Sequence, residues 1–303
     1  MRIAEVRELA SSLTQILNRM KNLLVSFSGG ETSGFMAQWL KNHYREFGYE
    51  NIVFVFANTG LENSQTLEFV ENCDVKFGLK LHWVEALVWQ GERKGTGYTL
   101  TDFEHAKRKG EPFEAIIKKY GIPNQATPHC TRELKQAPIK SFAKVWFNGE
   151  DYHTAIGIRM DEADRMNARA KEMGVIYPLI NRKMIPTNKP MVNIFWRSMP
   201  FRLELKGYQG NCKTCWKKAD RKLYQIAKEN PSAFDFMNEM EMKYPIDPMG
   251  HNKVFFRNNR SAKQILEEAK NWNGKIRNDA DEYTYQLDLL GGESCEVFSE
   301  CGS

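Results

Sequence analysis

A β-prone apolar run, Leu23-Leu24-Val25-Ser26-Phe27, ends in Ser28-Gly29-Gly30-Glu31-Thr32-Ser33-Gly34 and then gives way to Phe35, Met36, Trp39 and Leu40 on one helical face. That order reads as strand, tight loop, helix, and it restricts the chain to folds in which a buried strand feeds a helix packed beside its own sheet. Backbone N–H groups at the glycines and at the helix start can converge on an anion, and Ser28, Thr32 and Ser33 add short hydroxyl donors. Such a loop binds phosphate or sulfate. A glycine turn can also join any strand to any helix. Here hydroxyls flank the glycines on both sides, which favours the anion site.

The next strand signal is Asn51-Ile52-Val53-Phe54-Val55-Phe56-Ala57, a continuous apolar run of the kind a parallel strand buried on both faces requires. It ends at Asn58-Thr59-Gly60-Leu61-Glu62, on the edge where open α/β sheets bind their ligands. Asn58 and Thr59 could read a nucleotide there or cap the helix carrying Leu67, Phe69 and Val70; taken alone, these residues favour capping. Further strands are predicted over 79–86, 152–158 and 175–180, and helices over 3–21, 113–120 and 132–146, the last limited or bent by Pro138. Residues 87–112 are polar, and 90–97 reads as a solvated mobile loop, with a lid over a site as the alternative. The expectation is therefore an α/β domain over residues 1–205 with a doubly wound, mostly parallel five-stranded sheet, followed by a largely helical, Cys-containing region over 206–303. With 42% hydrophobic and 27% charged residues the composition is that of an ordinary globular protein. No apolar run approaches the ~20 residues that span a bilayer, and the first residues lack a signal peptide's apolar stretch. Those features point to a cytoplasmic protein with no membrane partner. A net charge of +5 permits an anionic ligand or a nucleic acid without requiring either.

Six cysteines in an intracellular chain of 303 residues are read as thiols or metal ligands rather than a disulfide framework. Cys130 precedes the 132–146 helix beside Arg132 and Lys135, a setting that lowers a thiol's pKa and suits a metal ligand or a nucleophile. Arg159 and Arg165 flank a strand end with acidic residues between them, so they either clamp a phosphate or sulfate or form a surface ion-pair cluster. Cys212 and Cys215 form a Cys-x-x-Cys pair that can share one metal or act as a redox dithiol. With Cys130 and the terminal pair Cys295 and Cys301, a four-cysteine iron-sulfur or zinc site is feasible, and spacing does not choose between the metals.

Several of these pieces, in order, carry a family resemblance. Ser26-Phe27-Ser28-Gly29-Gly30 with Ser33, Asn58-Thr59-Gly60 with Glu62 and Thr66, Cys130 with Leu134-Lys135 and Pro138, Gly157-Ile158-Arg159 with Arg165, and Tyr177-Pro178-Leu179 together resemble the phosphoadenosine phosphosulfate (PAPS) reductase family of the PP-loop superfamily. The resemblance covers roughly residues 20–220 and implies an adenine nucleotide α-hydrolase-like fold. It further implies that Ser26, Ser28, Gly29, Gly30, Thr32 and Ser33 hold the phosphate or sulfate end of an adenine nucleotide. Asn58, Thr59 and Gly60 would lie near the nucleoside, with Lys135, Arg159 and Arg165 supplying positive charge.

In iron-sulfur members of the family a Cys-Cys pair and a later Cys-x-x-Cys bind a four-iron cluster. Cys130, Cys212 and Cys215 match three of those positions, Thr131 occupies the fourth, and Cys295 or Cys301 would have to complete the set. Glu300-Cys301-Gly302 matches the start of the family's terminal Glu-Cys-Gly-Leu-His motif, which makes Cys301 the implied nucleophile. The implied activity is reduction of PAPS or adenosine phosphosulfate (APS) through a Cys thiolate, with a thiol reductant protein as partner. The same fold supports an alternative, an N-type ATP pyrophosphatase that adenylates an acceptor such as a nucleic acid for thiolation; a further one is a nucleotide-binding component of a larger assembly without turnover. Glu31 stands where loops of this kind often carry Lys or Arg, and it either points away from a polyphosphate or helps hold Mg2+.

Overall fold

The computed structural model describes residues 21–91, 95–210, 212–251 and 253–276. The helix expected over 3–21 falls, but for its last residue, outside the described residues, as do Cys295 and Cys301. β1 (Asn22–Phe27) is buried along its whole length and lies in the middle of the sheet. β2 (Asn51–Asn58) pairs with it in parallel on one side, and β3 (His82–Val88) continues in parallel beyond β2. β4 (Thr96–Thr101) runs antiparallel along the outer edge of β3. On the other side of β1, β5 (Tyr152–Ala155) and β6 (Val175–Ile176) are again parallel, giving the order β4-β3-β2-β1-β5-β6.

The sheet thus has six described strands where five were expected, and the added one falls in the polar stretch 87–112, overlapping the predicted loop 90–97 at Thr96 and Gly97. Thr96-Gly97-Tyr98-Thr99-Leu100-Thr101 is rich in residues that favour a pleated surface, which accounts for the strand. Trp89 lies over Gly97, so closely that an added Cβ there would come within 2.6 Å of the ring. The strands after residue 150 are shorter than predicted, because the chain leaves the ladder soon after Ala155 and Ile176 to form the loops at the sheet's C-terminal edge.

Helices lie on both faces. α1 (Glu31–His43) and α2 (Ser64–Phe77) follow β1 and β2, and α3 (Glu111–Tyr120) follows β4. A wide π-helical turn over Arg132–Gln136 leads into α4 (Ala137–Trp146), and the Ala137 N–H reaches back to the Arg132 carbonyl. Pro138 explains that turn: it has no N–H for the α-helical ladder and its ring crowds the carbonyl of Leu134. Strand side chains alternate between the two faces. Leu23, Val25, Phe27, Phe54 and Phe56 pack with α1, α2 and α5 (Lys189–Ser198). Leu24, Val53, Val55 and Val84 pack with Ile139, Phe142 and Ala143 of α4. Each fully buried large aliphatic side chain contributes roughly 1.5–3 kcal/mol, so β1 is anchored from both sides and holds the loop that follows it.

A third apolar cluster joins Leu61, Phe113, Ile116 and Leu134 to α6 (Asp220–Glu229), α7 (Asp235–Lys243) and α8 (Ala262–Asn271) through Leu223, Phe234, Met237 and Ile265. The helices after residue 219 are therefore docked against α3 and against the turn that leaves β2. No helix among the described residues is long and apolar enough to cross a membrane.

Candidate functional site

Because β2 lies on one side of β1 and β5 on the other, the chain diverges at the C-terminal ends of β1 and β5. That divergence is the place where an open parallel sheet leaves a crevice for a ligand. One wall is the Ser28–Ser33 loop. Gly29 adopts φ +81°, and an added Cβ would come within 2.7 Å of the Thr66 methyl and 3.2 Å of Phe56, so the loop lies pressed onto α2 and β2. Ser33 closes the loop from within: its Oγ accepts from the Ser28 N–H (3.2 Å) and the Ser28 hydroxyl (3.0 Å) and donates to the Gly30 carbonyl (2.9 Å). Gly30 precedes α1 without a side-chain cap, and an added Cβ there would meet nothing nearer than Ser28 Oγ at 3.8 Å. The first N–H groups of α1 have no acceptor within the helix, and the space in front of Gly30 lets an anion approach them. Ser26, by contrast, is buried within β1 rather than on the loop.

The other wall is the chain after β5. Gly157 comes so close to α1 that an added Cβ would lie 3.2 Å from Ser33 Cα. Two residues on, Arg159 Nη1 donates to Thr32 Oγ1 at 2.8 Å. Arg159 is held by Asp161 (2.9 Å) and Glu162 (3.1 Å), and Arg165 pairs with the opposite oxygen of Glu162. The arginines therefore form an ion-pair cluster, the second of the two alternatives posed by the sequence, and at the same time bring one guanidinium onto the loop.

Glu31 is neutralised from outside the loop. Its carboxylate accepts from Arg202 Nε at 3.0 Å and has Lys189 Nζ at 3.9 Å, while its carbonyl accepts from the Trp196 indole at 2.8 Å. A carboxylate in the first turn of a helix also suits the macrodipole. These contacts account for an acid at this position without a metal ion. Arg202, Lys189 and Trp196 escaped sequence reading because they lie about 160–170 residues downstream with no motif around them. The one available signal was the unbalanced Glu31 itself.

The turn after β2 has a structural task. Asn58 is fully buried; its amide donates to Glu85 (2.7 Å) and to the Lys107 carbonyl (2.8 Å), and its Oδ1 accepts from the Gly60 N–H (3.2 Å). Thr59 donates to Glu62 at 2.7 Å and lies 3.5 Å from Cys212 Sγ. Gly60, at φ +82°, lies against Pro112 and Gly110. The expected helix cap is Asn63 instead, and it makes no side-chain capping bond. Asn58, Thr59 and Gly60 thus lock β2 to β3, α3 and the Cys-x-x-Cys segment, and the Lys213 N–H seals the last contact on the Leu61 carbonyl (3.1 Å).

Cys130 and Cys212 pack against the same apolar cluster, and Lys217 Nζ reaches Thr131 Oγ1 at 3.4 Å, so the two cysteine segments are neighbours. Burial, with Glu62 nearby, pushes the Cys212 thiol up to about 12, against the pull of the Lys135 charge. The Lys135 charge therefore acts on Cys212. Burial also lowers the Lys218 ammonium to about 8, and its Nζ donates to the Tyr208 carbonyl at 3.0 Å. No three His, Cys, Asp or Glu side chains gather as a metal-binding set among the described residues. With a hydroxyl at Thr131, Cys130, Cys212 and Cys215 alone supply three thiols, one short of the four-cysteine set of a four-iron cluster or a closed zinc site.

Fold and site define an α/β protein with a mostly parallel sheet and a crevice at its switch point. No family model matches the chain. It is 29% identical over 220 residues to an uncharacterized nin region protein, ORF290, of Escherichia phage lambda, covering 72% of this chain and 73% of that protein. It is also 28% identical over 143 residues to an uncharacterized protein, MJ0066, of Methanocaldococcus jannaschii, covering 47% of this chain and only 24% of that longer protein.

Proposed function

We propose that this chain binds an adenine nucleotide by its phosphate or sulfate end in the crevice between the Ser28–Ser33 loop and Arg159, and acts in sulfur chemistry as a PAPS reductase-like PP-loop enzyme. The observation that carries the reading is the Arg159–Thr32 hydrogen bond across the switch point, together with the close approach of Gly157 to Ser33. Backbone N–H groups of α1 and the hydroxyl of Thr32 receive the anion, and the Arg159 guanidinium supplies the charge that stabilises a phosphate leaving group. In the reaction the Cys301 thiolate attacks the sulfonate sulfur of APS or PAPS. The S–O bond breaks, its electron pair leaves with the nucleotide phosphate, and the enzyme retains a Cys–S–SO3⁻ group. A dithiol reductant then attacks the cysteine sulfur, releases sulfite, and is oxidised to the disulfide as its second thiol frees Cys301.

The test is sulfite release from APS or PAPS with a dithiol. Activity that disappears in Cys301→Ser supports the reading, and unchanged activity in that variant removes Cys301 from the mechanism. The same open loop in front of α1 supports a second reading, in which ATP is cleaved between its α- and β-phosphates and a nucleic-acid acceptor is adenylated. Acceptor-dependent pyrophosphate release in place of sulfite release would select it.

A further inference from the structure

A second cavity, of about 160 Å3, opens where the C-terminal region meets the sheet domain, and it shares no lining residue with the crevice. Its floor is Leu61, just past β2. Every charged residue lining it is positive: Arg108 and Lys109 from the segment before α3, and Lys213 from inside the Cys-x-x-Cys motif. Among the described residues none of the three is paired with a carboxylate by its side chain. Three cations around one cavity repel each other, offset in part by Glu111, whose carboxylate accepts from the Lys109 N–H at 3.1 Å, and an anion relieves the remaining repulsion.

The geometry is ordered in advance of any ligand. The Arg108 guanidinium is fixed by the carbonyls of Phe103 and Ala106, the latter at 2.8 Å. Lys213 is placed by its backbone bond to Leu61. On the facing wall, Asn230 Oδ1 accepts from Ser232 Oγ at 2.7 Å, so the amide's acceptor is satisfied within the protein and its NH2 end is left to donate. Phe236, lying against Gly110, gives the remaining wall an aromatic face. At ~30 Å3 per water the cavity has room for roughly five water molecules, which is space for a phosphate group and the first atoms of its ester.

We infer that this cavity is a second anion site, one that takes a phosphate group carried on an organic molecule. The group's charge meets Arg108, Lys109 and Lys213, and the body of the ester meets Leu61 and Phe236. The site lies one residue from Cys212, so its occupation bears on the segment that holds the cysteine pair.

Equilibrium dialysis of the full-length protein with labelled inorganic phosphate tests this. Phosphate uptake persists in Arg159→Ala, weakens by about tenfold or more in Lys109→Gln/Lys213→Gln, and is retained in Lys109→Arg/Lys213→Arg, which keeps the charge. Unchanged affinity in the glutamine double variant, or complete loss of uptake in Arg159→Ala, overturns the inference. The second result would assign all phosphate to the crevice and leave the nucleotide proposal standing. Displacement of the phosphate from Arg159→Ala by glycerol 3-phosphate supports a small phosphoester, and displacement by a short single-stranded DNA alone supports a nucleic-acid backbone. Displacement by neither contradicts the site.

Discussion

At the scale of single residues, the loop after β1 depends on glycine for two different reasons. Gly29 needs a positive φ and has no room for a side chain, since Thr66, Phe56 and Val70 already fill that space. Gly30 needs neither; its lack of a side chain leaves the helix N-terminus open. The spacing of Ser28, Gly29, Gly30 and Ser33 was legible in the sequence because each residue acts within a few positions of its partner. The packing of Gly29 on Thr66 was not, because it joins residues from different elements. Gly29→Ala is accordingly expected to destabilise the fold by about 1–3 kcal/mol, from left-handed strain and the clash with Thr66. Urea denaturation measures this, and Thr66→Ser, which removes the clashing methyl, recovers part of the loss. A Gly29→Ala protein as stable as the parent would show that the loop is not pressed onto α2.

At the scale of elements, the sequence yielded the parallel strands and the helices that flank them because these rest on apolar runs and helical periodicity. It missed β4, whose alternating Thr, Tyr and Leu residues lay inside a polar stretch and at an exposed edge. The resemblance placed Asn58 and Thr59 near a nucleoside while the residues themselves favoured a helix cap; in the fold their side chains are engaged by Glu85, Lys107 and Glu62, two of which lie on distant elements. The same blindness to distance hid the clamp on Glu31. α5 and the chain just beyond it bring Trp196 and Arg202 to the start of α1. This clamp pairs the carboxylate beside the Ser28–Ser33 loop with a cation, so that under the proposed function it does not oppose the ligand. Removing it by Arg202→Met is expected to weaken nucleotide binding by about fivefold, roughly 1 kcal/mol for a partly exposed ion pair. Adding Glu31→Gln in the same protein restores the affinity. Calorimetric titration of the two variants checks both statements, and equal affinity in Arg202→Met and the parent would mean that the Glu31 charge does not reach the crevice.

At the scale of the whole molecule, the crevice and the cysteine-bearing segment lie along one edge of the sheet. The crevice at β1 and β5 is built by the α/β domain alone. The cysteine-bearing segment sits further along, at the end of β2, where the C-terminal helices dock. The described residues thus set the crevice apart from Cys130, Cys212 and Cys215, and the Lys135 charge acts on Cys212. The central claim is that the crevice is a nucleotide site, and the most direct test is calorimetric titration of the full-length protein and of Arg159→Ala with ATP, APS and PAPS. The account predicts that at least one of these nucleotides binds the parent protein and binds Arg159→Ala about tenfold or more weakly, as expected for a lost charge-assisted hydrogen bond. Absence of binding by all three, or equal affinity in the variant, would contradict it.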